Sequence, residues 1–231
     1  MTTVTTSRLG RLLGYEGVIA TLLLGAFRYF LVSLSFIACL VPVLAFQALV
    51  GWQATHVAIW LGAAAVLPVA PALHGLTRAA AALLDSEPYS ARMFWRGFAD
   101  AVRHRWGSAL TLSAVVLVLG YDIALLGADA GVLLGAAAVA AAVAAIVVSG
   151  AFLSDSPLRG AAFALAAARI VMQRPHLALV WLLLAALAGL ATSLPVVGAV
   201  AWMSMPALAA VAATICARTL GFDDARQRVD A

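Results

Sequence analysis

Apolar residues run in long blocks along this chain, and polar residues gather in short stretches between them. A helix must supply about 20 apolar residues to cross the hydrocarbon core of a bilayer. Six blocks meet or approach that length, at about 29–50, 57–74, 107–127, 131–153, 177–192 and 196–217. The basic residues set their direction. All 14 are arginines, and they fall in alternate gaps. Arg8, Arg11 and Arg28 precede the first block, and Arg78, Arg92, Arg96, Arg103 and Arg105 separate the second from the third. Arg159, Arg169 and Arg174 separate the fourth from the fifth, and Arg218, Arg226 and Arg228 follow the sixth. The three remaining connections carry no Arg or Lys. Cytoplasmic loops hold the excess of Lys and Arg in membrane proteins. The pattern therefore predicts an all-α integral membrane protein, a six-helix transmembrane bundle with N- and C-termini both inside. Residues 1–28 read as a cytoplasmic N-terminus, 29–217 as the transmembrane domain and 218–231 as a cytoplasmic tail. The apolar stretch 17–27 either lies in the interface or extends the first span, and the pattern does not separate the two.

Local departures from uniform apolarity mark points of interest. Pro68 and Pro71 each remove a backbone donor near the inner end of the second span, which predicts a kink or break there. Gly127, Gly131 and Gly135 share one helical face, the arrangement that lets helices approach closely, either within the bundle or in a homodimer. Two inner segments have amphipathic helical spacing. In Ser90–Trp106, Phe94, Phe98, Ala101 and Val102 occupy one sector, while Arg92, Arg96, Asp100 and Arg103 occupy another. Leu158–Arg174 repeats the theme: shifting the first segment by 69 residues lays Phe94 on Phe163, Val102 on Val171 and Arg105 on Arg174. Both segments lead into a span of the same direction, so the pattern reads as a parallel repeat. As interfacial helices they would turn arginines toward an anionic inner leaflet. As docking elements they would offer Arg92, Phe94, Trp95, Arg96, Arg103, Arg105, Arg169 and Arg174 to another subunit.

Composition agrees with the membrane reading. The chain of 231 residues is 65% hydrophobic and only 10% charged, with a mean hydropathy of +1.06, too little polar surface for a water-soluble globule. Its basic balance, +4 at neutral pH, belongs to the inner face. Eight of the acids share that side with the arginines, which leaves a surface suited to anionic lipid. No basic patch interleaved with exposed aromatics points to nucleic acid. Cys39 and Cys216 sit within spans and read as small buried hydrophobes. Residues 1–16 lack the signature of a cleavable signal peptide.

Chemistry-bearing residues are sparse. His56, His74, His104 and His176 are scattered, no phosphate-binding loop occurs, and no nucleophile motif is present, so neither a metal nor a cofactor is expected. Asp122 is an acid within a span, by default a functional candidate, although its nearness to the outer end also allows contact with interfacial water. Tyr121 beside it is either its hydrogen-bond partner or a belt residue. His74 follows the proline pair, where a broken helix exposes carbonyls; the plainer reading is a hydrogen-bonded interfacial histidine. Ser33, Ser35, Ser113, Ser149, Thr192, Ser193 and Ser204 either hydrogen-bond between helices, the usual case in a bundle, or line a polar path.

Several stretches together resemble the YesL-like family of bacterial membrane proteins (domain of unknown function 624). They are Leu67-Pro-Val-Ala-Pro-Ala-Leu-His-Gly-Leu-Thr-Arg78, the acidic turn Asp85-Ser-Glu87, Phe94-Trp-Arg-Gly-Phe98 with Arg103-His-Arg-Trp106, the late Tyr121-Asp122, and Ala164 to Pro175 with Pro206-Ala-Leu-Ala. The resemblance covers roughly residues 25–220. It implies carbohydrate utilisation beside a sugar uptake system of the ATP-binding-cassette type. The family has no established molecular activity, so no catalytic residues carry over. The expected function is a non-enzymatic accessory or regulatory protein of the bacterial inner membrane that interacts with a carbohydrate permease. The alternative is a small secondary transporter or channel built on the broken second span and Asp122.

Overall fold

The computed structural model describes residues 18–53, 55–87, 89–127, 129–153, 158, 160–193 and 198–220. Arg8, Arg11, Arg159, Arg226 and Arg228 lie outside the described residues. Within them the chain is all α-helical: α1 Val18–Leu49, α2 His56–Ala65, α3 Val69–Leu84, α4 Ser90–His104, α5 Trp106–Leu126, α6 Ala130–Phe152, α7 Gly160–Gln173, α8 Pro175–Ser193 and α9 Gly198–Thr219.

Four stretches are long and apolar enough to cross a membrane: Ala20–Leu49, His56–Leu84, Trp106–Leu126 and Ala130–Phe152. The α7–α8 pair, bent by 94°, makes a fifth if the two helices form one span, and α9 contributes the shorter apolar stretch Met203–Thr219. The chain is a multi-pass membrane protein. Two helices run further than the predicted spans. Helix α1 runs unbroken from Val18 through 32 residues, so the apolar stretch before residue 29 is continuous with the first predicted span. At 1.5 Å per residue that is about 48 Å, longer than the ~30 Å hydrocarbon core, so α1 tilts or projects beyond it. The helix that carries the end of the second predicted span, α3, continues past residue 74 to Leu84.

Helix α3 is the centre of the bundle, touched by α1, α4, α5, α6 and α9. Its alanines explain how so many neighbours fit: Ala70, Ala72, Ala79 and Ala80 are all fully buried. Apolar helices gain nothing from leaving lipid, so close packing of small side chains holds them together. The tightest approach is between α3 and α4. A Cβ on Gly75 would lie 2.7 Å from the Phe94 carbonyl oxygen, and one on Gly97 would lie 3.1 Å from the Gly75 Cα. Phe94 fills the core beside this crossing with Leu76, Leu83, Val32 and Val211. By contrast α5 buries only Ala109, and Leu110, Leu125 and Leu134 face outward. Helices apolar all round in this way are suited to lipid contact.

Candidate functional site

The predicted break at the prolines is present, and one of the carbonyls it frees is bonded by another helix. Helix α2 is capped by Thr55, whose side chain accepts a hydrogen bond from the Ala58 N–H at 3.3 Å. It stops at Ala65, and Pro68 with Pro71 opens α3 after a turn. In that turn Leu67 N–H bonds the Ala64 carbonyl rather than that of Ala63. The freed Ala63 carbonyl accepts a bond from the Ser113 hydroxyl of α5 at 2.7 Å. Non-helical backbone at membrane depth survives only where protein satisfies it, and Ser113 supplies that bond. A similar repair occurs in α9. Pro206 disturbs the ladder there, and the Ala207 N–H donates to Ser33 Oγ of α1 at 3.1 Å.

One turn into α3, His74 is 1% exposed. The plainer expectation of a hydrogen-bonded interfacial histidine is overturned, because neither ring nitrogen has a hydrogen-bond partner among the described residues. The ring lies 6.3 Å from that of Phe163 on α7, beside the Gly75–Gly97 crossing. Around it gather the charges of the arginine-rich end. Arg78 of α3 and Asp100 of α4 are 3.7 Å apart, and Asp100 also accepts from His104 Nδ1 at 3.0 Å. Arg105, the single residue between α4 and α5, places its guanidinium 4.3 Å above the Phe163 ring. Between α5, α6 and α7 this end opens into a cavity of about 370 Å³ lined by Arg105, His104, Ser108 and Phe163 among others.

The residues expected on an outward face of α4 and α7 divide. Arg92, Arg96 and Arg103 are exposed, as is Arg169 on α7, and Trp95 is 47% exposed. Phe94 is not part of that face: it is fully buried, with Trp95 edge-on against it at 5.4 Å and Phe98 stacked at 6.5 Å. Arg105 turns inward onto Phe163, and Arg174 donates to the Leu220 carbonyl at the end of α9. These two arginines hold equivalent places. Each is the one residue between an amphipathic helix and an apolar helix, α4–α5 and α7–α8, and the helix starts match at the 69-residue shift within one residue. Phe94 and Phe163, which correspond at the same shift, are both buried.

At the other end, of the two readings of Tyr121, the hydrogen bond to Asp122 does not form. Tyr121 turns to α2, where its hydroxyl accepts from Trp60 Nε1 at 3.2 Å and lies 3.0 Å from His56 Nδ1. With the oxygen already accepting, its proton is available to His56. Asp122 points away, exposed, with no hydrogen bond or ion pair among the described residues. His74 and Asp122 therefore belong to separate places, one at each end of the bundle. The glycine face also fails as internal packing: a Cβ on Gly127, Gly131 or Gly135 would meet nothing within 4 Å. Gly127 has a local reason instead, since its φ of +83° ends α5.

Among the described residues no three His, Cys, Asp or Glu side chains gather as a metal site. Sequence reasoning missed the Gly75–Gly97 crossing, the role of Arg105 as a junction and the cavity beside it. Comparison with protein-family models, curated proteins and solved structures yields no match.

Proposed function

We propose that this chain is a non-enzymatic accessory or regulatory protein of the bacterial inner membrane, with six crossings and both termini inside, that docks onto a solute uptake system. The observation that carries the reading is the build of α4. It is pinned to the core by Phe94 and by the glycine crossing, yet it holds Arg92, Trp95, Arg96 and Arg103 outward. A rigid helix with an exposed aromatic among arginines has the anatomy of an interface anchor, because little order remains to be lost on binding. The resemblance to YesL-like proteins directs attention to a carbohydrate permease of the ATP-binding-cassette type, and the arginine-rich end suits an anionic inner leaflet. The transporter alternative retains the broken second span and His74, but Asp122 lies at the opposite end from His74 and contributes nothing beside it.

The test is affinity purification from native membranes in mild detergent, with mass spectrometry of co-purifying proteins. The wild type is expected to recover a permease or its ATPase in stoichiometric amount. The variant R92A/W95A/R96A, which leaves the core residue Phe94 in place, is expected to lose it while keeping its own yield. Recovery of the chain alone, with substrate flux in liposomes, would replace the accessory reading with the transporter.

A further inference from the structure

We infer that the outward face of α4 is a docking site for an acidic amphipathic helix of a partner protein, one that sets an apolar side chain among carboxylates. The inference rests on the accessory reading above and adds the chemistry of the partner. Arg92, Trp95, Arg96, Ala99 and Arg103 are all exposed, and their helical spacing places them along one side of α4. The buried residues Ser90, Phe94, Gly97 and Ala101 lie on the opposite side. At 1.5 Å per residue the stripe from Arg92 to Arg103 is about 16 Å long. None of its three arginines makes a hydrogen bond or an ion pair among the described residues. Asp100, the only acid of α4, is held by Arg78 and His104 instead.

Packing and charge together choose the occupant. A helix that settles on a bilayer buries an apolar face in it. The apolar face of α4 is already used against its neighbours, where Phe94 is fully buried and the Gly75–Gly97 crossing closes the gap to α3. Trp95 is the one large apolar side chain of α4 left well exposed, so a headgroup layer would meet this helix through charge alone. The stripe has shape as well as charge. Ala99 is a small residue between Arg96 and Arg103, one turn from Trp95, and leaves an apolar notch in the row of guanidiniums. Each guanidinium can donate two parallel N–H bonds to a carboxylate, and the notch admits an aliphatic side chain set among them. Tryptophan and arginine are the residues that most often anchor protein interfaces. A helix lying along α4 supplies carboxylates and an apolar side chain at matching intervals, and a lipid surface does not.

The probe is a fluorescent, alanine-based helical peptide with glutamates at i, i+4 and i+11 and a leucine at i+7, titrated by anisotropy against the full chain in phosphatidylcholine nanodiscs. Its control has the same composition with the leucine moved to the opposite face. The patterned peptide is expected to bind at least tenfold more tightly than the control. Arg96→Gln is expected to weaken it at least fivefold, and Arg169→Gln, the same charge change at an exposed residue of α7, to leave it intact. Ala99→Leu fills the notch at an exposed position without changing charge and is expected to weaken binding about tenfold. Equal binding of the two peptides, equal loss in the two arginine variants, or unchanged binding in Ala99→Leu overturns the inference, since diffuse charge would then account for the contact. Displacement of the peptide by phosphatidylglycerol vesicles overturns it in favour of a lipid surface. Binding that develops only after removal of residues 221–231 overturns it in favour of the chain's own tail. Failure of the peptide, with the permease still lost from R92A/W95A/R96A, sinks this partner chemistry alone and leaves the accessory reading standing.

Discussion

Ser86 occupies the position at which α3 stops, and its backbone carries the cost. The Glu87 N–H bonds the Ala82 carbonyl at 2.9 Å and the Ser86 N–H bonds the Leu83 carbonyl at 3.2 Å, the paired bonds of a Schellman ending. That ending needs a left-handed residue, and Ser86 supplies it at φ 58° although a side chain there costs roughly 1–2 kcal/mol. Ser86→Gly removes the strain while losing some unfolded-state restriction, so a net gain of about 1 kcal/mol is expected, read as a higher Tm in detergent. The glycines give the opposite sign. Ala at Gly75 would press a methyl group onto the Phe94 carbonyl at 2.7 Å, and backbone cannot step aside as a side-chain tip can. Overpacking of ~1–3 kcal/mol outweighs the helix-propensity gain of ~1 kcal/mol, so Gly75→Ala is expected to lower Tm. Gly135→Ala, with nothing within 4 Å of the new methyl, receives the propensity gain alone and is expected to raise it. A rise in both would mean that α3 and α4 are not held at this crossing.

At the scale of elements, the broken second span shows why some structure was legible and some was not. Proline chemistry is local, so Pro68 and Pro71 announced the break without knowledge of neighbours. Its repair is not local: Ser113 reaches the Ala63 carbonyl from another helix. Ser113→Ala should leave that carbonyl unpaired in an apolar setting, at a cost of about 1 kcal/mol. Thr111→Ala is the control, because Thr111 bonds a carbonyl of its own helix, and a change below ~0.5 kcal/mol is expected. Equal Tm losses in the two would remove the special role of Ser113. The ends of α5 and α6 fall within one residue of the predicted 107–127 and 131–153, since lipid sets the length of an apolar run. Which faces pack is a different matter. Phe94 and Trp95 are adjacent aromatics, and only the glycine crossing decides which is buried. The Gly127–Gly135 spacing permits a close partner but does not summon one. The candidate site suffered most, because Tyr121 and Asp122 are neighbours in sequence and diverge in space.

For the molecule as a whole, the arginine-bearing stretches converge. Arg218 pairs with Asp85 at 3.3 Å, Arg174 reaches Leu220, and Arg105 covers Phe163. The three contacts bring the ends of α3, α4, α7 and α9 to one side of the bundle, while His56, Trp60 and Tyr121 meet at the other. Such exposed pairs add little stability, ~0–1 kcal/mol, but an arginine-rich end strongly biases orientation toward the cytoplasm. Single cysteines in a C39A/C216A background test this, with a membrane-impermeant maleimide applied to intact cells. Gln53→Cys and Asp129→Cys are expected to label at once, and Ser86→Cys and Arg96→Cys only after permeabilisation, all at exposed positions. Leu220→Cys decides the number of crossings. If α9 crosses after the α7–α8 pair, Leu220 returns to the side of Ser86 and is shielded in intact cells. Immediate labelling there would leave α9 uncrossed, reduce the count to five and place the two ends of the chain on opposite sides, in conflict with the contacts of Arg174 and Arg218.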